Sequence, residues 1–136
     1  EDVARLHPSG RHRILYIEDN PATILFMTDL LGSFENVELM TAPTAEIGLE
    51  LARASVPGLV IMDINLPGMS GLDALRVLRG TPATERIPVI ALTAAASERD
   101  RQRGEEAGFF RYLTKPVQID ELEAALETVL GMALEN

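Results

Sequence analysis

Largely apolar runs of three or four residues recur along this chain, and each stops abruptly at polar residues. Ile14-Leu15-Tyr16-Ile17 ends in Glu18-Asp19, Leu59-Val60-Ile61-Met62 in Asp63, Val89-Ile90-Ala91-Leu92 in Thr93, and Tyr112-Leu113-Thr114 in Lys115-Pro116. A short run that is apolar at every position implies burial on both faces, as in the middle of a parallel sheet. Stretches with helical spacing separate the runs. Five strand–helix units in series imply an α/β fold with a parallel sheet, right-handed crossovers and helices on both faces.

The units can be placed one by one. Asn20-Pro21 reads as a helix start with Pro in the first turn, and Ile24, Met27, Leu31 and Phe34 carry that helix to about Phe34. Val37 to Met40 is a short strand, and Thr44 to Ala54 a helix with Ile47, Leu51 and Ala54 on one face. The loop Asn65-Leu66-Pro67-Gly68-Met69-Ser70-Gly71 leads from the third strand into a helix over about Leu72 to Arg79. Pro88 to Leu92 is the fourth strand, and Ser97 is suited to cap a polar fourth helix that ends near Gly108. Arg111 to Thr114 is the fifth strand. Gln118 to about Leu134 is the last helix, with Leu122, Leu126, Val129 and Leu130 toward the core. Glu1 to about His12 has no sustained periodicity and reads as a linker or the remnant of an upstream segment, leaving residues 13–134 as one domain.

In open parallel sheets, ligands bind outside the carboxyl ends of the strands, where strand order reverses. All four polar clusters lie at carboxyl ends. One sheet edge is therefore expected to collect the carboxylates of Glu18, Asp19 and Asp63, the Thr93 hydroxyl and the Lys115 ammonium. A carboxylate such as Asp63 is able to attack phosphorus and form an acyl phosphate. Glu18 and Asp19 offer hard oxygens to Mg²⁺, which takes one or two carboxylates, waters and substrate oxygens, and the Asn65 backbone carbonyl is placed to complete the shell. Thr93 and the Ala94 N–H offer donors to a phosphoryl group, and Lys115 a point cation from the opposite side.

Each residue also has a plain structural reading. An Asp after a strand is ordinarily a cap or turn residue. Glu18-Asp19 before Asn20-Pro21 would stabilise a helix N-terminus through its dipole, and a lone Lys is usually a solvated charge. It is the coincidence of four such endings on one edge that the plain readings do not explain.

Composition removes other classes. At 136 residues, with 46% hydrophobic and 24% charged residues, the chain suits one soluble domain. No apolar stretch reaches the roughly 18–20 residues that span a bilayer, so no membrane contact is expected. The net charge of −9 argues against nucleic acid as a direct partner. The absence of cysteine excludes disulfides and thiolate metal sites and fits a cytoplasmic location. The chain opens on Glu1 instead of Met, which suggests processing or excision from a longer protein.

Taken together, Leu15-Tyr16-Ile17-Glu18-Asp19-Asn20, Met62-Asp63-Ile64-Asn65-Leu66-Pro67-Gly68-Met69-Ser70-Gly71, Ala91-Leu92-Thr93-Ala94 and Ala107-Gly108-Phe109 leading to Tyr112-Leu113-Thr114-Lys115-Pro116 resemble the receiver domain of two-component response regulators. The resemblance covers about Arg13 to Leu134. It implies a doubly wound five-stranded parallel sheet of order 2-1-3-4-5, flavodoxin-like, as a three-layer sandwich. It further implies that Asp63 accepts a phosphoryl group from a phosphohistidine on a histidine kinase or histidine phosphotransfer protein. Glu18, Asp19, Asp63 and the Asn65 carbonyl would hold Mg²⁺, and Thr93 and Lys115 would bind the phosphoryl group. Tyr112 matches an aromatic that turns inward as Thr93 moves, biasing a docking surface on the fourth helix, fifth strand and last helix. The family often has Asp where this chain has Ser70, at a position that is not chemical. Ala95, two residues past Thr93, leaves access for water and would favour turnover of the phosphoryl group.

The sequence leaves three matters open: a stand-alone receiver against the carboxyl-terminal receiver of a hybrid histidine kinase, homodimer formation, and a receiver fold retained only for phosphorylation-independent docking. A haloacid dehalogenase-type phosphohydrolase fits less well, because Asn65 stands where that family has a second Asp and Asp63 follows the third strand instead of the first. A flavin phosphate would be repelled by the acidic edge.

Overall fold

The structure is a computed structural model and describes residues 11–94 and 97–131. The reading of the leader before residue 11, that of Ala95 and the extension of the last helix to Leu134 fall outside these residues. The elements alternate without exception: β1 (His12–Ile17), α1 (Pro21–Gly32), β2 (Val37–Ala42), α2 (Ala45–Ser55), β3 (Leu59–Met62), α3 (Gly71–Gly80), β4 (Val89–Thr93), α4 (Glu98–Ala107), β5 (Arg111–Thr114) and α5 (Ile119–Leu130). The five strands form one sheet of order β2-β1-β3-β4-β5, and every paired neighbour is parallel.

Strand alternation divides the apolar side chains between two cores. On one face Leu15, Ile17, Val60, Met62, Val89 and Ala91 pack with residues of α2 and α3. On the other, Ile14, Tyr16, Leu59, Ile61, Ile90 and Leu92 pack with α1 and α5. All four residues of β3 are fully buried, as its uninterrupted apolar run requires. Caps set where three of the site-bearing helices begin. Asn20 Oδ1 accepts from the Ala22 and Thr23 amides at the start of α1, Ser70 Oγ accepts from Asp73 N at the start of α3, and Ser97 Oγ accepts from Asp100 N at the start of α4. Ser70 is thus a helix cap. Because Asn20 joins the end of β1 to α1, Asn20→Ala is expected to lower the unfolding free energy by about 1 kcal/mol, read as a lower urea midpoint with unchanged slope.

Several boundaries differ from the sequence expectation. β1 begins at His12, which is buried and pairs with Val37, so the sheet starts within the segment read as linker. β2 runs two residues past Met40, to Ala42. The larger correction concerns α2. Its buried residues are Ala45, Gly48, Leu49 and Ala52, whereas Ile47 is 42% exposed. Ala54 is exposed and Leu51 only partly buried. The cause is distance: a Cβ on Gly48 would lie 2.7 Å from Ile17 Cγ1, so the helix rides too close to β1 for large side chains at the contact. Val129, expected in the core with Leu122, Leu126 and Leu130, is only partly buried.

Candidate functional site

Register brings the polar residues together. Ile17 pairs with Met62, so Glu18 and Asp63 each follow the last paired residue of adjacent strands, and Asp63 N donates to Ile17 O at 3.2 Å. Thr93 pairs with Thr114, and Lys115 N donates to Thr93 O at 2.8 Å. The gap between β1 and β3 is where strand order reverses, because β2 lies on one side and β4 and β5 on the other.

At this edge Glu18 is 1% exposed, yet it carries a carboxylate that needs partners. Its Oε1 accepts from Lys115 Nζ at 2.8 Å and from the Tyr16 hydroxyl at 3.2 Å, and its Oε2 accepts from Asn20 N at 3.2 Å. Asp63 is also buried; its Oδ2 accepts from Lys115 Nζ at 3.1 Å and its Oδ1 from Asn65 N at 3.0 Å. The ammonium therefore bridges the two carboxylates. Burial alone would lower the Lys115 pKa, but the hydrogen bonds and charges of Glu18 and Asp63 outweigh it and hold the group above its ordinary value. The Lys115–Pro116 peptide is cis.

Thr93 is fully buried, and its hydroxyl accepts from the Asn65 side-chain amide at 3.4 Å. Tyr112, 3% exposed, turns its ring into the core on the α2–α3 face. Asp19 lies exposed at the rim beside Glu18. Among the described residues no three acidic or histidine side chains converge into a ready metal cluster. The chemistry of the donor set nevertheless fits a hard divalent ion: carboxylates at the ends of β1 and β3, with one internal cation between them.

Tyr16 was not among the expected site residues. Burial, then the Glu18 charge and hydrogen bond, push its phenol far above the ordinary value, so it remains a donor to Glu18. The signal was present in the sequence, since positions 16 and 18 of one strand point to the same face. Gly71 is a second addition. A Cβ there would lie 2.7 Å from both Asp63 O and Ile64 Cα, and Gly71 N donates to Ile64 O at 2.8 Å. The start of α3 thus rests directly on the backbone that carries Asp63.

Comparison with known proteins agrees with this geometry. The profile of the response regulator receiver domain matches residues 14–127. Protein PilH of Pseudomonas aeruginosa is 36% identical over 119 residues, which cover 88% of this chain and 98% of PilH. A probable cyclic di-GMP phosphodiesterase of Vibrio cholerae is 35% identical over 117 residues; the match covers 86% of this chain but 26% of that longer protein. A response regulator receiver domain from Clostridium thermocellum superposes with a TM-score of 0.79 at 28% identity, covering 88% of this chain and 94% of that one.

Proposed function

The chain belongs to the response regulator receiver domain family, and from that premise we propose that it is the phosphoacceptor of a two-component phosphorelay. In this reading Asp63 takes a phosphoryl group from a phosphohistidine on a histidine kinase or histidine phosphotransfer protein. A bond forms between an Asp63 carboxylate oxygen and phosphorus as the phosphorus–nitrogen bond of the donor breaks, and the departing imidazole takes its proton from solvent. Such a transfer asks of the protein mainly positioning and neutralisation of charge.

The observation that carries the reading is Lys115 Nζ seated 2.8 Å from Glu18 Oε1 and 3.1 Å from Asp63 Oδ2. A cation is held beside the nucleophile by a second, deeper carboxylate. Glu18 is itself anchored by Tyr16 and the Asn20 amide. The Asn65 amide fixes one Asp63 oxygen, which leaves the carboxylate oriented for attack. Thr93 and the Ala94 N–H would donate to phosphoryl oxygens. Glu18, Asp19, Asp63 and the Asn65 carbonyl would hold Mg²⁺, whose contribution when bound is to neutralise charge on the transferring group. The phosphorylated form would then be read by a protein or domain at the groove of about 390 Å³ between α4, β5 and α5.

The test is transfer from a radiolabelled histidine phosphotransfer protein. Label is expected to move to the wild-type chain with Mg²⁺ and not to Asp63→Asn. Equal labelling of both would remove Asp63 from the role of acceptor.

A further inference from the structure

Helix α4 is held to the sheet in an unusual way. Its sequence, Glu98-Arg99-Asp100-Arg101-Gln102-Arg103-Gly104-Glu105-Glu106-Ala107, presents no large apolar residue to the core, and Gly104 is its one buried residue. Glycine in a helix interior costs about 0.5–1 kcal/mol relative to alanine, so its place here asks for a reason. The reason lies across the contact. A Cβ built on Gly104 would stand 2.8 Å from Tyr112 Cε2 and closer still to Cδ2, with Phe109 Cδ2 at 3.5 Å. One turn earlier, Arg101 lies on the same side of the helix. Its Nη1 donates to the Tyr112 carbonyl at 3.0 Å, and its guanidinium carbon is 5.7 Å from the Tyr112 ring centroid.

We infer that Gly104 is a positioning residue for Tyr112: it is a notch in α4 that admits the inward ring, and any side chain there drives the ring out. The clashing atoms belong to the edge of a ring that can turn away about its side-chain torsions, not to backbone, so the conflict is relieved by moving Tyr112 and not by unfolding the sheet. The groove between α4, β5 and α5, which Tyr112 itself lines, offers the displaced ring space. Because Thr93 and Tyr112 are read above as the coupled pair between site and docking surface, the inference rests on that reading for its consequence: the notch sets how far the inward state is favoured. The packing relation stands by itself and is measured separately.

Nitration of tyrosines by tetranitromethane, mapped by peptide mass, reads the ring directly. In the folded wild type both Tyr16 and Tyr112 are buried, and both are expected to be protected. In Gly104→Ala, Tyr112 nitration should rise at least about tenfold, the change from a minor to a dominant outward state, with Tyr16 unchanged. A second measurement guards against a variant that folds poorly. Alanine is the better helix former, so Gly104→Ala should raise the urea midpoint when Tyr112 is already alanine and lower it in the wild-type background. The inference is overturned if Tyr112 stays protected in Gly104→Ala, or if the substitution raises the midpoint equally in both backgrounds. Failure of the wild type to accept a phosphoryl group would sink the acceptor reading and leave these ring results standing.

Discussion

Gly71→Ala is expected to lower the unfolding free energy by about 1–3 kcal/mol and to slow phosphorylation of Asp63 on the order of 100-fold. Ordinarily, glycine to alanine at a helix position stabilises. Here the new methyl would meet Asp63 O and Ile64 Cα at 2.7 Å, and both are backbone atoms with no side-chain torsion to release the strain. The loop between β3 and α3 must therefore move, and Asp63 is its first residue. A displacement of this kind acts on rate as well as on stability, because attack on phosphorus depends on alignment. Urea denaturation and the rate of adduct formation with acetyl phosphate measure the two effects. A raised midpoint with an unchanged rate would show that the close approach imposes no constraint.

Lys115→Met is the second large effect. It leaves Glu18 and Asp63, both buried, without the ammonium that bridges them. Removing one partner of a fully buried pair costs about 3–5 kcal/mol; with the Lys115 side chain 23% exposed, about 1–3 kcal/mol is expected. The loss should be largest in chelator, and millimolar Mg²⁺ should raise the midpoint of the variant more than that of the wild type, since a divalent ion relieves the same repulsion. Equal Mg²⁺ responses would argue that Glu18 and Asp63 are not metal ligands. The pH dependence has a definite sign. A lysine whose folded-state pKa lies above its unfolded value of about 10.4 stabilises fully below that value and loses its contribution as pH rises through the folded pKa. Wild type should therefore lose stability in that alkaline window, and Lys115→Met should lack this component.

What the sequence could disclose follows from what is local. Runs apolar at every position mark β3 and β4 as interior strands, and the carboxyl ends of β1, β3, β4 and β5 carry Glu18, Asp63, Thr93 and Lys115. Ser97 announced itself as a helix cap by its position. Contacts between elements were not legible in this way. Large apolar residues do not mark the inward face of α2: the close approach to β1 at Gly48 places Ala45, Gly48 and Ala52 beside Leu49 on that face and leaves Ile47 outside. The seat of Lys115 between two carboxylates depends on three registers across four strands at once, which no single stretch of sequence encodes. Tyr16 lies inside an apolar run, and only its spacing of two from Glu18 indicates that its hydroxyl faces the site.

Whether Asp63 is the acceptor is read from intact mass after incubation with acetyl phosphate, for wild type and Asp63→Asn, with and without Mg²⁺. A single phosphate adduct is expected on the wild type, dependent on Mg²⁺ and absent from Asp63→Asn. No adduct on the wild type, or one undiminished in Asp63→Asn, would contradict it and leave a receiver fold that acts by docking alone.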